Sequence, residues 1–258
     1  MGVLKFDAVD DRLRWTTLAT PLANVSDGAW TLAVLVRRET AAVWGGMSYL
    51  ESGGGTTPEA GASFNGATED ITIDIAGTAR EFAGTFSDTT NPYMFAISKA
   101  AGATTPRMAW KLGSGGSWAH VDATGGTLAD QIASNTLDIG VLTGTVDPFD
   151  GWIGLVGWWE GAMSDANKEA LDDNWRTSDW WTSAHGQPAF LAELNVAAGS
   201  VVDLAGNASS TSHTGPALDA GETLNSWNFD GTGAVVTPAV SPNVRQFPVF
   251  LLSGKRTV

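Results

Sequence analysis

"FDGWIGLVGWWEGAMSDANKEAL", residues 149–171, changes character half-way along. It opens as an apolar run threaded with glycine, and residues 152–159 read as a strand. The run ends in Trp158 and Trp159. Ser164 then stands where a helix N-cap belongs, because its hydroxyl can accept from the free N–H groups of a first turn. Asp165 adds negative charge at the positive end of that helix. Ala166, Ala170 and Leu171 give it a short apolar face, with Lys168 and Asp172 paired at i, i+4.

Upstream, strands alternate with turn clusters. "AWTLAVLVRR" (29–38) is apolar on both faces in its middle and ends in Arg37 and Arg38. "SGGGTTPEAG" (52–61) reads as a loop. "DITIDIAG" (70–77) alternates, with Ile71, Ile73 and Ile75 on one side and Asp70, Thr72 and Asp74 on the other, as in a half-buried antiparallel strand. "YMFAISKA" (93–100) reads as a strand, and "RMAWKLGSGGSWAHVDA" (107–123) as a hairpin with its loop at Gly113–Gly116. "LDIGVL" (137–142) is a further strand.

From about Gly186 the texture becomes small and polar, with one or two short strands expected in "NSWNFDGTGAVVTP" (225–238). Pro248 lacks an N–H, so a strand near it lies at an edge or in an extended arm. The expected division is a domain over 1–185 and a C-terminal extension over 186–258, packed on that domain or on a neighbouring subunit.

Bulk composition narrows the function classes. The chain has 258 residues, of which 31 are glycine and only 14 are Lys or Arg, and its net charge is −14. Frequent glycine with short apolar runs suits many strands and turns. An acidic chain repels phosphate backbones and anionic membrane surfaces, so no nucleic-acid partner and no membrane insertion are expected. Zero cysteines remove disulfides, thiolate metal sites and cysteine nucleophiles. "MGVLKFDAVDD" lacks the basic-then-apolar pattern of a signal peptide. No apolar stretch approaches the roughly 18 residues of a membrane span.

The closing stretch resembles the end of laminin G-like modules of the concanavalin A-like lectin/glucanase superfamily. Phe149, Gly151, Ile153, Val156, Ala162, Met163 and Ser164 carry that likeness. "KFDAVDDRLRW" resembles the family's opening strand through Phe6, Asp7, Asp10 and Asp11, with Ala8 in place of the usual glycine. "VSDGAWTLAVLVRR" resembles the next strand around Asp27, Gly28 and Trp30, and "LDIGVL" the strand before the closing loop. The resemblance spans roughly residues 3–175 and implies an all-β jelly-roll sandwich of two antiparallel sheets, with one short helix after the closing strand. Gly154, Leu155 and Gly157 stand where the family commonly carries polar residues. That face is therefore expected to be covered by the C-terminal segment or by another subunit. Asp203, Gly206 and Asn207, then Phe229, Asp230 and Gly231, resemble a stretch that usually precedes the opening strand. The layout as a whole resembles laminin G-like minor tail proteins of bacteriophages infecting actinobacteria.

Twelve tryptophans are unusual. Aromatic faces bind the apolar face of a pyranose. Trp44, Tyr49 and Trp118 lie beside glycine-rich loops and are the candidate glycan contacts, with core or interface packing as the alternative. Trp15, Trp30, Trp110, Trp152 and Trp158 read as core, and Trp175, Trp180 and Trp181 as pins for the tail. Many family members bind calcium through rim carboxylates, which makes Asp147 and Asp150 the candidate calcium ligands. A retaining glycosidase needs two carboxylates about 5–5.5 Å apart. Glu69, Asp70 and Asp74 offer only a partial match, and solvated carboxylates on an alternating strand explain them equally well. His120, His185 and His213 fall in no HExxH-like spacing, and the sequence has no G-x-S-x-G elbow for a Ser-His-Asp triad.

The expectation is a non-enzymatic virion protein that needs no cofactor. It would be a phage minor tail protein attaching to host-surface glycan and forming a homo-oligomer among other virion proteins. The alternatives are a structural virion protein, such as a capsid decoration, and a glycan-cleaving enzyme.

Overall fold

The computed structural model describes residues 3–16, 29–52, 57–75, 78–124, 136–142, 147–174, 188–194, 201–205 and 212–219. Among them two antiparallel sheets form a jelly-roll sandwich with one helix.

The first sheet centres on β3 (Trp30–Arg38) and β12 (Asp150–Glu160). Outward from β3 lie β8 (Tyr93–Lys99), β9 (Arg107–Leu112) and β10 (Ala119–Asp122). Beyond β12 lie β1 (Val3–Asp7) and β15 (Ala217–Asp219), and β13 (Phe190–Glu193) also pairs with β12. The second sheet runs β14 (Ser212–Thr214), β2 (Arg12–Trp15), β11 (Thr136–Ile139), β4 (Gly45–Ser52), β5 (Thr57–Phe64), β6 (Ile71–Ile75) and β7 (Thr78–Phe82). The expected loop at 52–61 is thus mostly strand, with only 53–56 left outside the described residues. Trp175, Trp180, Trp181, His185 and the strands expected over 225–238 also lie outside them.

The 11-residue β12 needs two partners along its outer edge. β1 pairs with Asp150–Ile153 and β13 with Leu155–Trp158. The handover falls at Gly154, where the register against β3 shifts by a bulge. The Gly154 carbonyl accepts from Leu194 N at 2.9 Å, and Leu4 N donates to Leu194 O at 2.8 Å. The extra residue also resets the alternation of side chains. Ile153, Val156 and Trp158 face the interior between the sheets, while Trp152, Leu155 and Trp159 face outward.

Both faces of this sheet are therefore apolar and covered. The inner core joins Trp15, Trp30, Phe64, Phe95 and Trp158 from both sheets. The outer cluster joins Ala33, Leu35, Met94 and Trp159 to Met163 and to Leu171 of helix α1 (Asp165–Asn174). Leu191 of β13 and Leu204 complete it. At Gly157 an added Cβ would lie 2.5 Å from the Trp159 ring and 3.0 Å from Leu191, so only glycine lets this cover sit down. Residues 151–159 are all buried, and the cover comes from the helix and from the C-terminal segment of the same chain.

The helix starts as the sequence directs. Ser164 Oγ accepts from Asn167 N at 3.2 Å. Thr31 Oγ1 donates to Gly161 O at 2.9 Å and accepts from Met163 N at 3.0 Å, which fixes the turn before it. Lys168, buried along its stem, reaches Asp165 at 2.8 Å and Arg107 O at 3.3 Å. Burial pushes the Lys168 amine below its ordinary range, and Asp165 opposes that shift. No described helix is long and apolar enough to cross a membrane.

Candidate functional site

One end of the sandwich collects the loops that hold most of the candidate residues. The β3–β4 loop passes over it and ends in Trp44, a residue 39% exposed. Below Trp44 lies a shallow depression lined by Arg38, Thr40, Val43, Phe149 and Asp150, among others. Val43 beside it is also exposed.

The depression is held rigidly. Arg38 closes β3 with its guanidinium buried beneath the loop. One terminal nitrogen donates to Phe86 O at 3.0 Å and the other to Val43 O at 2.9 Å, while the group stacks 4.4 Å from the Phe64 ring. Burial lowers its pKa, and the nearby charges of Glu69 and Asp150 oppose the shift. Trp44 rests on the β5–β6 turn, where an added Cβ on Gly66 would come within 2.6 Å of Trp44 N and 2.9 Å of its ring. That turn is tied by Asn65 Oδ1, which accepts from Ala67 N at 2.9 Å and Thr68 N at 3.3 Å.

The three glycan candidates do not share a site. Trp44 is the one that offers an exposed ring at the depression. Trp118 is half-buried against the outer cluster, with the Lys111 ammonium 5.6 Å from its ring. Tyr49 must be corrected, because it is fully buried and donates its hydroxyl hydrogen to Ser63 Oγ at 3.1 Å. Burial pushes its phenol well above the ordinary range. Its ring covers Gly61 of the next strand, so it offers no face to a ligand.

The calcium candidates divide likewise. Asp150 lines the depression, and its carboxylate has no hydrogen-bond partner among the described residues. Asp147 adopts a left-handed backbone (φ 47°), and its carbonyl accepts from Gly46 N at 2.9 Å. Burial raises the pKa of its carboxyl. The described carboxylates that converge as a threesome are instead Asp7, Asp10 and Asp11 of the β1–β2 corner, within 4.8 Å of one another. Part of their capacity goes to the corner itself. Asp11 Oδ2 accepts from Asp7 N at 2.8 Å, and Asp7 Oδ1 from Val9 N at 3.0 Å. Ala8, at the family's glycine position, is left-handed (φ 62°). The β14–β15 turn nests on this corner, and an added Cβ on Gly215 would fall 1.6 Å from Asp11 Oδ1. Asp11 is buried, and desolvation raises its pKa to about 6, with help from Asp7 and Asp10.

The glycosidase-like set is scattered. Asp70 precedes β6 and accepts from Gly84 N at 2.9 Å, while Asp74 stands within the strand. His120 lies over the helix, with Nε2 3.1 Å from Glu169.

No protein-family model matches the chain, and no curated protein matches its sequence. Solved structures do resemble it in shape. A protein of Bacteroides ovatus ATCC 8483 to which carbohydrate binding has been ascribed aligns over 85% of this chain with 13% identity and a TM-score of 0.56. The aligned part is 60% of that protein's own length. A heptameric SAP-like pentraxin from Limulus polyphemus aligns over 65% of this chain and 80% of its own, with 10% identity and a TM-score of 0.47. The mouse laminin α1 chain aligns over 61% of this chain and 40% of that one, with 11% identity and a TM-score of 0.39. The chain has an all-β jelly-roll fold of two antiparallel sheets, shared with the Bacteroides protein.

Proposed function

We propose that this is a non-enzymatic glycan-binding protein, and that the rim around Trp44 holds the saccharide. The observation that carries the reading is an exposed indole on a rigid bed, with Thr40 and an Asp150 carboxylate that makes no hydrogen bond among the described residues in the same depression. An indole supplies a flat apolar face for a pyranose, and a few polar groups fix its orientation. The carbohydrate binding ascribed to the Bacteroides protein of like fold agrees with this reading. For the biological setting we propose a minor tail protein of a bacteriophage virion, attached to host-surface glycan. The support for that is the sequence layout: no cysteine, few cations, and a jelly roll followed by a small-residue extension.

The test is a glycan array probed with the full chain, with calcium and with a chelator, alongside Trp44→Ala and Trp118→Ala. Trp44→Ala is expected to abolish binding and Trp118→Ala to leave most of it. Loss on chelation would assign a cation to the rim, with Asp147 and Asp150 the proposed ligands. Silence of the folded protein across host-wall glycans would overturn the reading in favour of a scaffold role in the virion.

A further inference from the structure

We infer that the saccharide this rim accepts is uncharged or carries an amine, and that acidic saccharides are refused. The inference rests on the glycan reading above and adds the class of ligand. It follows from which charges at the depression are free to meet a ligand.

Arg38 is the cation of the depression, and it is not available. Its side chain is buried, and each terminal nitrogen spends one N–H on a loop carbonyl, one on Phe86 O and the other on Val43 O. Turning the buried group outward to clasp a sugar carboxylate or sulfate in its fork would break both bonds and release the β3–β4 loop that carries Trp44. Asp150 is the opposite case, since it lines the depression and its carboxylate makes no hydrogen bond among the described residues. Glu69 lies near the same guanidinium, and its carboxylate also has no hydrogen bond among the described residues. Farther along the rim Asp7 and Asp10 are exposed and Asp147 is half-buried. The other described cations toward this end are engaged, Arg37 among them, with its guanidinium 4.1 Å from the Trp152 ring. Lys5 is held by Glu39 at 2.6 Å, and Arg12 is half-buried with interactions of its own.

A ligand seated on Trp44 therefore meets acceptors and a net negative charge, since Asp150, Glu69 and Asp147 together outnumber the Arg38 cation. Hydroxyl and ammonium groups can donate to Asp150. A carboxylate or sulfate about 5 Å from it is repelled, by roughly five- to tenfold in affinity at low salt. The net charge of −14 acts in the same direction.

The experiment uses the full chain with EDTA present, so that no cation can bridge two anions. A panel of neutral, amine-bearing and acidic oligosaccharides is titrated at low and at high salt. Three variants are compared: Trp44→Ala, Asp150→Asn, and Glu160→Gln at the far end of β12, which alters net charge equally. Neutral and amine-bearing members are expected to bind and acidic ones to bind at least fivefold more weakly, with the gap closing at high salt. Asp150→Asn should cut the preference for amine-bearing over neutral members about threefold, and Glu160→Gln should not. Acidic members binding as tightly as neutral ones would overturn the inference and leave the glycan reading standing. If no member binds, or if Trp44→Ala changes nothing, the glycan reading fails and takes this inference with it.

Discussion

Trp158 and Trp159 are neighbours in sequence, yet they belong to two differently built layers. Trp158 points between the sheets, tilted against Trp30 with ring centroids 5.7 Å apart, and its Nε1 donates to Ser48 Oγ at 3.0 Å. Its ring and its Nε1 thus meet residues of β3 and β4, two of the long strands. Trp159 points the other way, into a cluster roofed by Met163, Leu171, Leu191 and Leu204. Those four come from a turn, a ten-residue helix, a four-residue strand and a loop. The inner layer is secured by sheet pairing. The outer layer is secured by short pieces, each pinned by a few polar contacts such as Asp203 Oδ1, which accepts from Leu191 N at 2.9 Å and Ala205 N at 3.0 Å. The outer layer is therefore the first to open, and hydrogen exchange at β13 should proceed by openings smaller than global unfolding.

The largest effect that separates the layers belongs to Trp158→Ala. It removes a buried indole and leaves Ser48 without its donor, at a cost of about 4 kcal/mol in denaturant unfolding. Leu191→Ala, on the outer side, should cost about 2–3 kcal/mol. Its main mark should be faster exchange over β13 while β3 stays protected. Equal protection losses in both strands would merge the layers into one unit. Next comes Asp11, where the C-terminal hairpin rests on the β1–β2 corner. Its folded pKa of about 6 lies above the ordinary 3.8, so the fold holds the protonated form better than the unfolded chain does. The contribution is complete below pH 4 and lost as pH rises through 6, on the order of 2 kcal/mol. Thermal melts between those limits should fall more steeply for the parent chain than for Asp11→Asn, and parallel slopes would refute the assignment. The smallest effect is Ser164→Ala, which removes the helix cap at a cost of about 1 kcal/mol.

The same contrast explains what the sequence disclosed. β3, β6 and the 149–171 stretch were legible because their periods and the Ser164 cap are local signals. The covering of Gly154, Leu155 and Gly157 was legible as well, since apolar residues on a face normally wet imply a cover. β4 and β5 were hidden for physical reasons. β4 carries register shifts that break its alternation, and β5 begins beside a proline and contains a glycine. Trp44 and Tyr49 looked equivalent, as aromatics flanking glycine-rich sequence. Their difference is that Tyr49 lies over a glycine of the neighbouring strand, and no local pattern reports a cross-strand partner. The carboxylate threesome was present in the motif Asp7, Asp10 and Asp11. Its convergence depends on the left-handed turn at Ala8, which alanine rarely advertises.

The seam along β12 has a topological consequence. Val3 pairs with Asp219, and the two strands run antiparallel, so the start of β1 lies beside the end of β15. A short reverse turn is all that separates these points. The described sandwich is in effect a ring of strands with one gap, so a cut in another exposed turn keeps the same strand pairs. Joining Asp219 to Val3 and reopening the chain at the exposed Ser114–Gly115 turn would preserve every strand pair described here. Such a rearranged chain should fold to the same sandwich with the Trp44 rim intact, while its new ends leave from the β9–β10 hairpin instead of the edge beside β1.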